Sequence, residues 1–214
     1  MVNIMNLTKM SINNLTAGFK NLGLVFGIWL LVSIVSPSFL GMVFAMSGYL
    51  FMNQVMGYED TYGIDNLIAT LPVKRSEYVI SRYILGITIS LSSIAILTLI
   101  YFTINTINPI EIPIEMLVTI GLLSSIVTIS MIIPVVIKFG MNKAKVINML
   151  MFLLIMAIAT GVMQTINTDK EFIINIINKL NNIGLPMIVT VVSMVVVSIS
   201  MIISLKIYSN KEVK

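Results

Sequence analysis

Few side chains in this sequence could perform chemistry, and most catalytic arrangements are impossible. The chain has no His and no Cys, so neither a Ser-His pair nor a thiol nucleophile can be built. Glu111 and Glu115 are carboxylates four residues apart, a spacing that would bring them together on a helix for acid-base work. Pro109 and Pro113 flank them, however, and a carboxylate pair in an exposed loop is normally solvated. A zinc site would need carboxylates alone, which is unusual. We predict neither an enzymatic site nor a metal site.

Nucleotide and nucleic-acid chemistry are also missing. The phosphate-binding pattern G-x-x-x-x-G-K-[ST] does not occur, nor does the G-x-S-x-G turn of hydrolases. The chain has 214 residues, of which 57% are hydrophobic and 10% charged, against about 25% charged in soluble domains. This leaves no room for a separate nucleotide-binding domain. The net charge of +4 comes from short basic segments beside hydrophobic stretches. We expect no cofactor in this chain and no nucleic-acid partner.

The elements that carry these residues are predicted to be membrane-spanning helices. Residues 21–58 contain no charged side chain, a stretch too long for one crossing of a bilayer core of about 30 Å. Pro37 divides it into a hairpin because proline breaks helical hydrogen bonding. Later uncharged stretches complete an all-α integral membrane protein with a single transmembrane domain over residues 1–214. The six predicted spans are about 21–36, 38–57, 79–105, 114–137, 146–167 and 184–206.

The basic residues set the predicted orientation. All Lys and Arg side chains except Lys170 and Lys179 fall on the side of the spans that holds both termini. The positive-inside rule makes that side cytoplasmic, so we expect a multi-pass protein in contact with the lipids of the cell membrane. No ionisable side chain is expected near the middle of a span, which argues against a proton-coupled pump. Tyr78 and Tyr83 bracket Arg82, and we predict a snorkelling arginine in an interfacial aromatic belt.

Two segments outside the spans have the spacing of amphipathic helices. Residues 1–19 predict an interfacial helix, with a frayed tail as the alternative. Its apolar arc consists of Met5, Ile12, Leu15 and Phe19. Between spans five and six, Thr168 and Glu171 match a capping box that starts an external helix. That helix either lies passively on the outer surface or covers an exit path. Its apolar face consists of Phe172, Ile173, Ile176, Ile177 and Leu180.

The connection between spans two and three also has helical spacing. Glu59 and Asp60 precede it, where a helix dipole favours acids, and Lys74 and Arg75 follow it. Gly63 falls inside the pattern and weakens it, since glycine costs about 1 kcal/mol against alanine in a helix. The segment is either a connector against lipid headgroups or a helix that presents an apolar stripe to a cytoplasmic partner. The stripe consists of Ile64, Leu67, Ile68 and Leu71.

This connection, the six spans and the external helix together resemble the small ABC-2-type permease subunits of bacterial ABC exporters. The block Leu71-Pro72-Val73-Lys74-Arg75 carries the most specific part of the resemblance. In that family the block follows a coupling helix, which docks into a groove on a separate ATPase subunit. The chain is most similar to the Gram-positive permeases that export amphipathic peptides such as phenol-soluble modulins. Bacteriocin and antibiotic-resistance exporters share the pattern. The resemblance implies export of an amphipathic peptide or an antimicrobial, with a role in virulence or self-immunity.

The same resemblance implies partners and residue roles. Two cytoplasmic ATPase subunits would bind ATP and Mg, and a second permease, identical or a paralogue, would complete a dimer. The path between protomers would be lined by Ser47, Asn53, Thr160 and Gln164, unless these side chains only form hydrogen bonds between packed helices. The ATPase-coupling residues would be Glu59, Asp60, Ile64, Asp65, Leu67, Ile68, Leu71, Pro72, Lys74 and Arg75.

Two other classes of protein fit the sequence. One is a membrane-embedded binding subunit, like the six-span substrate-capture components of vitamin uptake systems. The other is an immunity protein that sequesters a toxin at the membrane without transporting it. A charged residue in place of Leu67 separates these classes from an exporter, since only the exporter should lose ATPase coupling.

Overall fold

A computed structural model describes residues 2–37, 39–64, 68, 70, 73–110, 112–168 and 185–210, and most of these residues are helical. The predicted turn at Pro37 is confirmed, since one helix ends at Val35 and the next begins at Phe39. The external amphipathic helix predicted after Thr168 lies outside the described residues. The five elements are α1 (Val2–Val35), α2 (Phe39–Thr61), α3 (Arg75–Ile107), α4 (Ile114–Thr168) and α5 (Leu185–Ser209).

Several helices have the length and composition of membrane spans. Within the described residues, four segments are long and apolar enough to cross a membrane, namely Phe39–Thr61, Arg75–Ile107, Ile114–Gly161 and Thr190–Ser209. A shorter apolar helix, Gly23–Val35, forms the end of α1. The all-helical, membrane-type fold predicted from the sequence therefore agrees with the structure.

The N-terminal segment differs from the prediction of a separate interfacial helix. α1 is continuous from Val2 to Val35, because no proline interrupts its hydrogen bonding. Met5 and Ile12 of the predicted arc are exposed, whereas Leu7 and Ser11 are buried against the bundle. The side chains of the other two arc residues, at positions 15 and 19, are outside the described set. The first turns of α1 are thus part of the helix bundle.

α4 is divided at Gly140, whose backbone has φ 73° and ψ 163°. A positive φ favours glycine, which explains the residue type and agrees with the predicted helix end here. We call residues 114–139 α4a and residues 141–168 α4b. A Cβ added at Gly48 of α2 would lie 3.1 Å from the Ser125 Cβ, and one added at Gly121 would lie 3.3 Å from Phe44. The order of these contacts shows that α4a runs parallel to α2.

α4b runs along α2 in the opposite direction. The rings of Tyr49 and Phe152 are 5.5 Å apart, whereas Gly57, two turns further along α2, faces Met141 at the start of α4b. The chain therefore reverses at Gly140, and both arms of α4 pack against the same central helix. This is the packing that two consecutive spans joined by a tight turn would have.

Two contacts between helices mark the opposite ends of the bundle and show how long it is. At one end, Asn108 Nδ2 donates to the Ile34 carbonyl oxygen at 3.3 Å. At the other, Arg82 Nη1 donates to Ser11 Oγ at 2.6 Å. The stretch of α1 between Ser11 and Ile34 measures about 35 Å at 1.5 Å per residue, close to the thickness of a bilayer core. We call the end at Ser11 the basic end, because it also holds Lys74, Arg75, Lys138, Lys143, Lys145 and Lys206.

Candidate functional site

The connecting segment, residues 62–74, has a glycine at its second position, just after the end of α2. Gly63 has a φ of 62°, and its N–H donates to the Asp60 carbonyl oxygen at 3.2 Å. This left-handed conformation is typical of the residue that follows a helix. The sequence pattern placed Gly63 inside the predicted coupling helix, but the structure places it before any helix in this segment. The glycine therefore does not weaken such a helix.

Two members of the predicted apolar stripe face the bundle. Ile64 is 7% exposed and Ile68 is 3% exposed, and both belong to the hydrophobic cluster that contains Met56 and Tyr78. Side chains four residues apart share one helical face, so this face of the connecting segment is anchored to the core. In this conformation Ile64 and Ile68 are not available to a partner. The remaining predicted coupling residues at positions 65, 67, 71 and 72 lie outside the described residues.

A buried ion pair joins the two helices that flank this segment, α2 and α3. Arg82 of α3 is fully buried, Glu59 of α2 is 3% exposed, and Arg82 Nη1 contacts Glu59 Oε1. Ser11 of α1 joins the pair, because its hydroxyl accepts from Arg82 and donates to Glu59 Oε1 at 2.6 Å. The Arg82 guanidinium also lies 4.6 Å from the centre of the Tyr78 ring, a cation–π contact. The ion pair and the serine hydroxyl thus connect α1, α2 and α3 near one end of the bundle.

This cluster corrects two predictions. Arg82 does not snorkel towards an interface, and Glu59, which was predicted as an ATPase-coupling residue, is buried and not exposed at a docking surface. The physical reason is that a carboxylate, a hydroxyl and an aromatic face converge on the guanidinium inside the bundle. These partners offset part of the desolvation of the charge, while Arg82 Nε and Nη2 have no hydrogen-bond partner among the described residues. A signal was present in the sequence: Glu59 ends one uncharged stretch and Arg82 precedes the next, at the same end of adjacent spans.

The polar residues beside the connecting segment are largely exposed, and two of them also cap neighbouring helices. Arg75 Nη1 donates to the Ser209 carbonyl oxygen at 3.0 Å and so caps the end of α5. The backbone N–H of Lys74 donates to Glu77 Oε2 at 3.1 Å, which caps the start of α3. The carboxylate of Asp60 lies 3.2 Å from the position that a Cβ on Gly140 would take. Asp60 and the side chains of Lys74 and Arg75 are exposed, and their docking role stays a prediction.

A groove opens between α2 and α4b near the basic end. Its volume is about 680 Å³. Aromatic rings and amides share its walls, and the buried oxygens Asn53 Oδ1 and Asn148 Oδ1 have no hydrogen-bond partner among the described residues. Lys145 and Asp60 stand among its charged lining residues. The groove thus combines aromatic side chains with polar and charged ones. Its lining includes Tyr49, Asn53, Gln54, Tyr58, Asn148 and Phe152.

Comparison with protein families then decides what kind of protein this is. A family model described as ABC-2 family transporter protein matches residues 3–209, nearly the whole chain. The chain belongs to the ABC-2 family of transporter proteins. No curated protein and no solved structure matches it. Family membership and the several apolar helices make this ABC-2 protein a membrane-embedded, multi-pass protein, and the family implies an ABC ATPase partner.

The structure separates the four predicted pathway residues of this ABC-2 protein. Asn53 lines the groove. Ser47 is fully buried and donates to the Phe44 carbonyl oxygen of its own helix at 3.0 Å, and it accepts from the Ser93 hydroxyl of α3 at 3.4 Å, which is a contact between packed helices. The Thr160 hydroxyl bonds to the Met156 carbonyl oxygen of its own helix at 2.9 Å. Thr160 and Gln164 are exposed on α4b and do not line the groove.

Sequence reasoning missed Asn148 and the hydroxyl groups of α5. Asn148 is 3% exposed, and its backbone carbonyl accepts a hydrogen bond from the Tyr49 hydroxyl at 2.8 Å. An asparagine inside an uncharged stretch is a usable signal, since a polar side chain in a span needs a partner. Among the residues that the structure describes, no cluster of three or more His, Cys, Asp or Glu could hold a metal ion.

Proposed function

We propose that this ABC-2 protein is the permease subunit of an ATP-driven exporter and crosses the membrane six times. The opposite directions of α4a and α4b along α2 support two crossings within α4. α1, α2, α3 and α5 supply the other four. The concentration of Lys and Arg at the basic end supports a cytoplasmic location for that end and for both termini.

The observation that carries the proposal is that both ends of the connecting segment are tied to buried charge. On the α2 side, Glu59 and Gly63 line one small cavity of about 40 Å³. On the α3 side, Tyr78 and Arg82 belong to the cluster that pairs with Glu59. A force applied to the segment would therefore reach α1, α2 and α3 together, because Ser11 completes the cluster. This is the mechanical arrangement that a coupling segment needs.

The partner in this proposal is a cytoplasmic ABC ATPase, present in two copies that bind ATP and Mg. We place Ile64 and Ile68 as anchors of the segment, since both are buried against the bundle. The exposed charges of Asp60, Lys74 and Arg75 would then set the register of docking. Closure of the ATPases on ATP would tilt the segment, and the buried ion pair would pass that tilt to the bundle.

The groove between α2 and α4b is our candidate for part of the transport path. Its aromatic walls suit an apolar face, and the side chains of Gln54, Asp60 and Lys145 suit a polar face, so an amphipathic peptide fits its chemistry. A second permease, identical or a paralogue, would close the open side of the groove. An amphipathic or antimicrobial peptide substrate would connect the protein to virulence or to self-immunity.

Affinity capture from membranes of the native host tests this function. A tagged wild-type chain should retain a protein that carries the G-x-x-x-x-G-K-[ST] motif, identified by its peptides. Leu67→Asp should lose that protein, because it places a charge in the predicted docking stripe. Ile107→Asp, at an exposed position at the opposite end of the bundle, should retain it. If the wild type retains no such ATPase, the exporter proposal fails.

The open groove also fits the alternative of a binding or toxin-immunity protein that does not transport. In that case cells that carry Leu67→Asp would keep their protection against the toxin, and no ATPase would be captured. An exporter would lose protection and ATPase together.

A further inference from the structure

α5 contacts the bundle through one stripe of side chains. Among residues 190–210, the buried side chains are those of Ser200, Ser204 and Tyr208. They are four residues apart, so they share one face of the helix. All three lie in the half of α5 nearer the basic end, whereas residues 190–199 bury no side chain. Val197, Met201 and Leu205 are partly buried against the core, so the fully buried contacts of residues 190–210 are few and lie at this end.

Hydroxyl groups make the central part of this contact. Tyr83 Oη of α3 lies 2.7 Å from Ser200 Oγ and 2.8 Å from Ser204 Oγ. Ser200 Oγ in turn donates to the Ser130 carbonyl oxygen of α4a at 2.6 Å. Because Ser200 has one hydroxyl hydrogen, Tyr83 must donate to Ser200, and Ser204 must donate to Tyr83. The result is a directed chain of hydrogen bonds from α5 through α3 and back through α5 to α4a.

Pro134 explains why the chain ends at Ser130. In a helix, the carbonyl of Ser130 would accept from the backbone N–H four residues later, but that residue is Pro134, which has no N–H. A backbone acceptor left without a donor in an apolar bundle is costly. Ser200 supplies the missing donor from another helix. Proline in α4a thus creates the acceptor to which α5 is bound.

The end of α5 is held by the first turns of the same helix that carries Tyr83. Arg75 donates to the Ser209 carbonyl oxygen at 3.0 Å, and the rings of Tyr78 and Tyr208 are 5.1 Å apart. Tyr78 also contacts the Arg82 guanidinium of the buried ion pair. The first turns of α3, which follow the connecting segment, therefore contact the end of α5.

We infer that Tyr83 is a positioning residue that latches α5 to α3, so that the two helices move as one unit when the connecting segment is displaced. The inference rests on the proposed exporter function for its purpose, but the latch itself is a property of this chain. Without the Tyr83 hydroxyl, Ser204 loses its acceptor and Ser200 loses its donor. Among residues 190–199 of α5, no fully buried side chain could replace them.

Spin labels on a cysteine pair measure this latch directly. The sequence has no Cys, so cysteines at Ile96 of α3 and Val192 of α5, both exposed, would carry the only labels. In the purified chain, wild type should give a narrow distribution of distances between the labels, and Tyr83→Phe should broaden it. Tyr101→Phe is the matched control, since Tyr101 is a buried tyrosine of the same helix whose hydroxyl bonds to the Ile112 carbonyl oxygen instead. Equal distributions for all three chains would overturn the latch.

The same labels in the captured ATPase complex test the shared movement. With ATP and vanadate, the distance between the α3 and α5 labels should stay fixed in the wild type. In Tyr83→Phe it should change, while ATPase capture is unaffected. A change of that distance in the wild type would overturn the shared movement. Failure to capture an ATPase would instead count against the proposed function, and the measurement on the purified chain would still decide the latch.

Discussion

Arg82 and Glu59 form an ion pair that the bundle closes off from solvent, with Arg82 fully buried and Glu59 3% exposed. They stand at the same end of two consecutive helices, and Ser11 of a third helix bonds to both. A buried pair of this kind is seldom a large net source of stability, but breaking it leaves one charge without compensation. Glu59 precedes the connecting segment and Arg82 follows it, so the pair joins both ends of that segment to the helix bundle.

The first prediction concerns this pair. Arg82→Leu should lower the free energy of unfolding by about 3–5 kcal/mol, because it leaves the Glu59 carboxylate buried without its cation. The double variant Glu59→Leu with Arg82→Leu should be more stable than Arg82→Leu alone, since no charge is then buried. Denaturation of the detergent-solubilised chain measures both. A single variant as stable as the wild type would show that the pair is not buried.

The second prediction concerns the reversal in α4. Gly140→Ala should lower the free energy of unfolding by about 1–3 kcal/mol, because φ 73° with ψ 163° is a backbone region that only glycine adopts readily. The added Cβ would also approach the Asp60 carboxylate. Gly161→Ala is the control, since nothing lies within 4 Å of a Cβ there. Equal thermal stability of the two variants would contradict a reversal at Gly140.

The third prediction concerns the contact between α2 and α4a. Gly48→Ala should destabilise the chain, since its Cβ would lie 2.5 Å from Ser125 Oγ and 3.1 Å from Ser125 Cβ. Ser125→Gly in the same chain should restore part of the loss, because it removes both of these atoms. Gly27→Ala faces open space and should change little. If Ser125→Gly gives no rescue in thermal unfolding, the two helices do not meet at these residues.

The fourth prediction concerns Pro134 and Ser200. Ser200→Ala should lower the free energy of unfolding by about 1 kcal/mol, because the Ser130 carbonyl loses the hydroxyl donor that stands in for the N–H missing at Pro134. In a Pro134→Ala background the helix regains its own N–H, so the same substitution should matter less. A double-mutant cycle measures the difference. Additive effects would contradict the link between the proline and the serine.

Much of the fold could be predicted from the sequence, since a membrane-spanning helix can be recognised by its length and its lack of charged side chains. The turn at Pro37 and the end of the fourth predicted span near Gly140 were also predictable, because proline and glycine have local effects on the backbone. The family was visible in the block from Leu71 to Arg75. Each of these features depends on residues close together in the chain.

The parts that could not be predicted depend on contacts between distant residues. No local pattern predicts that Ser11 lies beside Arg82, 71 positions away. It also could not show that Ile64 and Ile68 face the core, because an apolar stripe fits a partner and a bundle equally well. The charge of Arg75 predicted a docking residue, but it could not show that the guanidinium also caps α5. Pairing across helices decided each of these roles.

The central claim is that this ABC-2 protein works as a permease coupled to an ATPase. Native mass spectrometry of the tagged chain, purified from membranes of its host, tests that claim most directly. We predict a complex of two permease chains and two ATPase subunits, which Leu67→Asp reduces to permease chains alone. A wild-type chain that is purified without any ATPase subunit would contradict the claim.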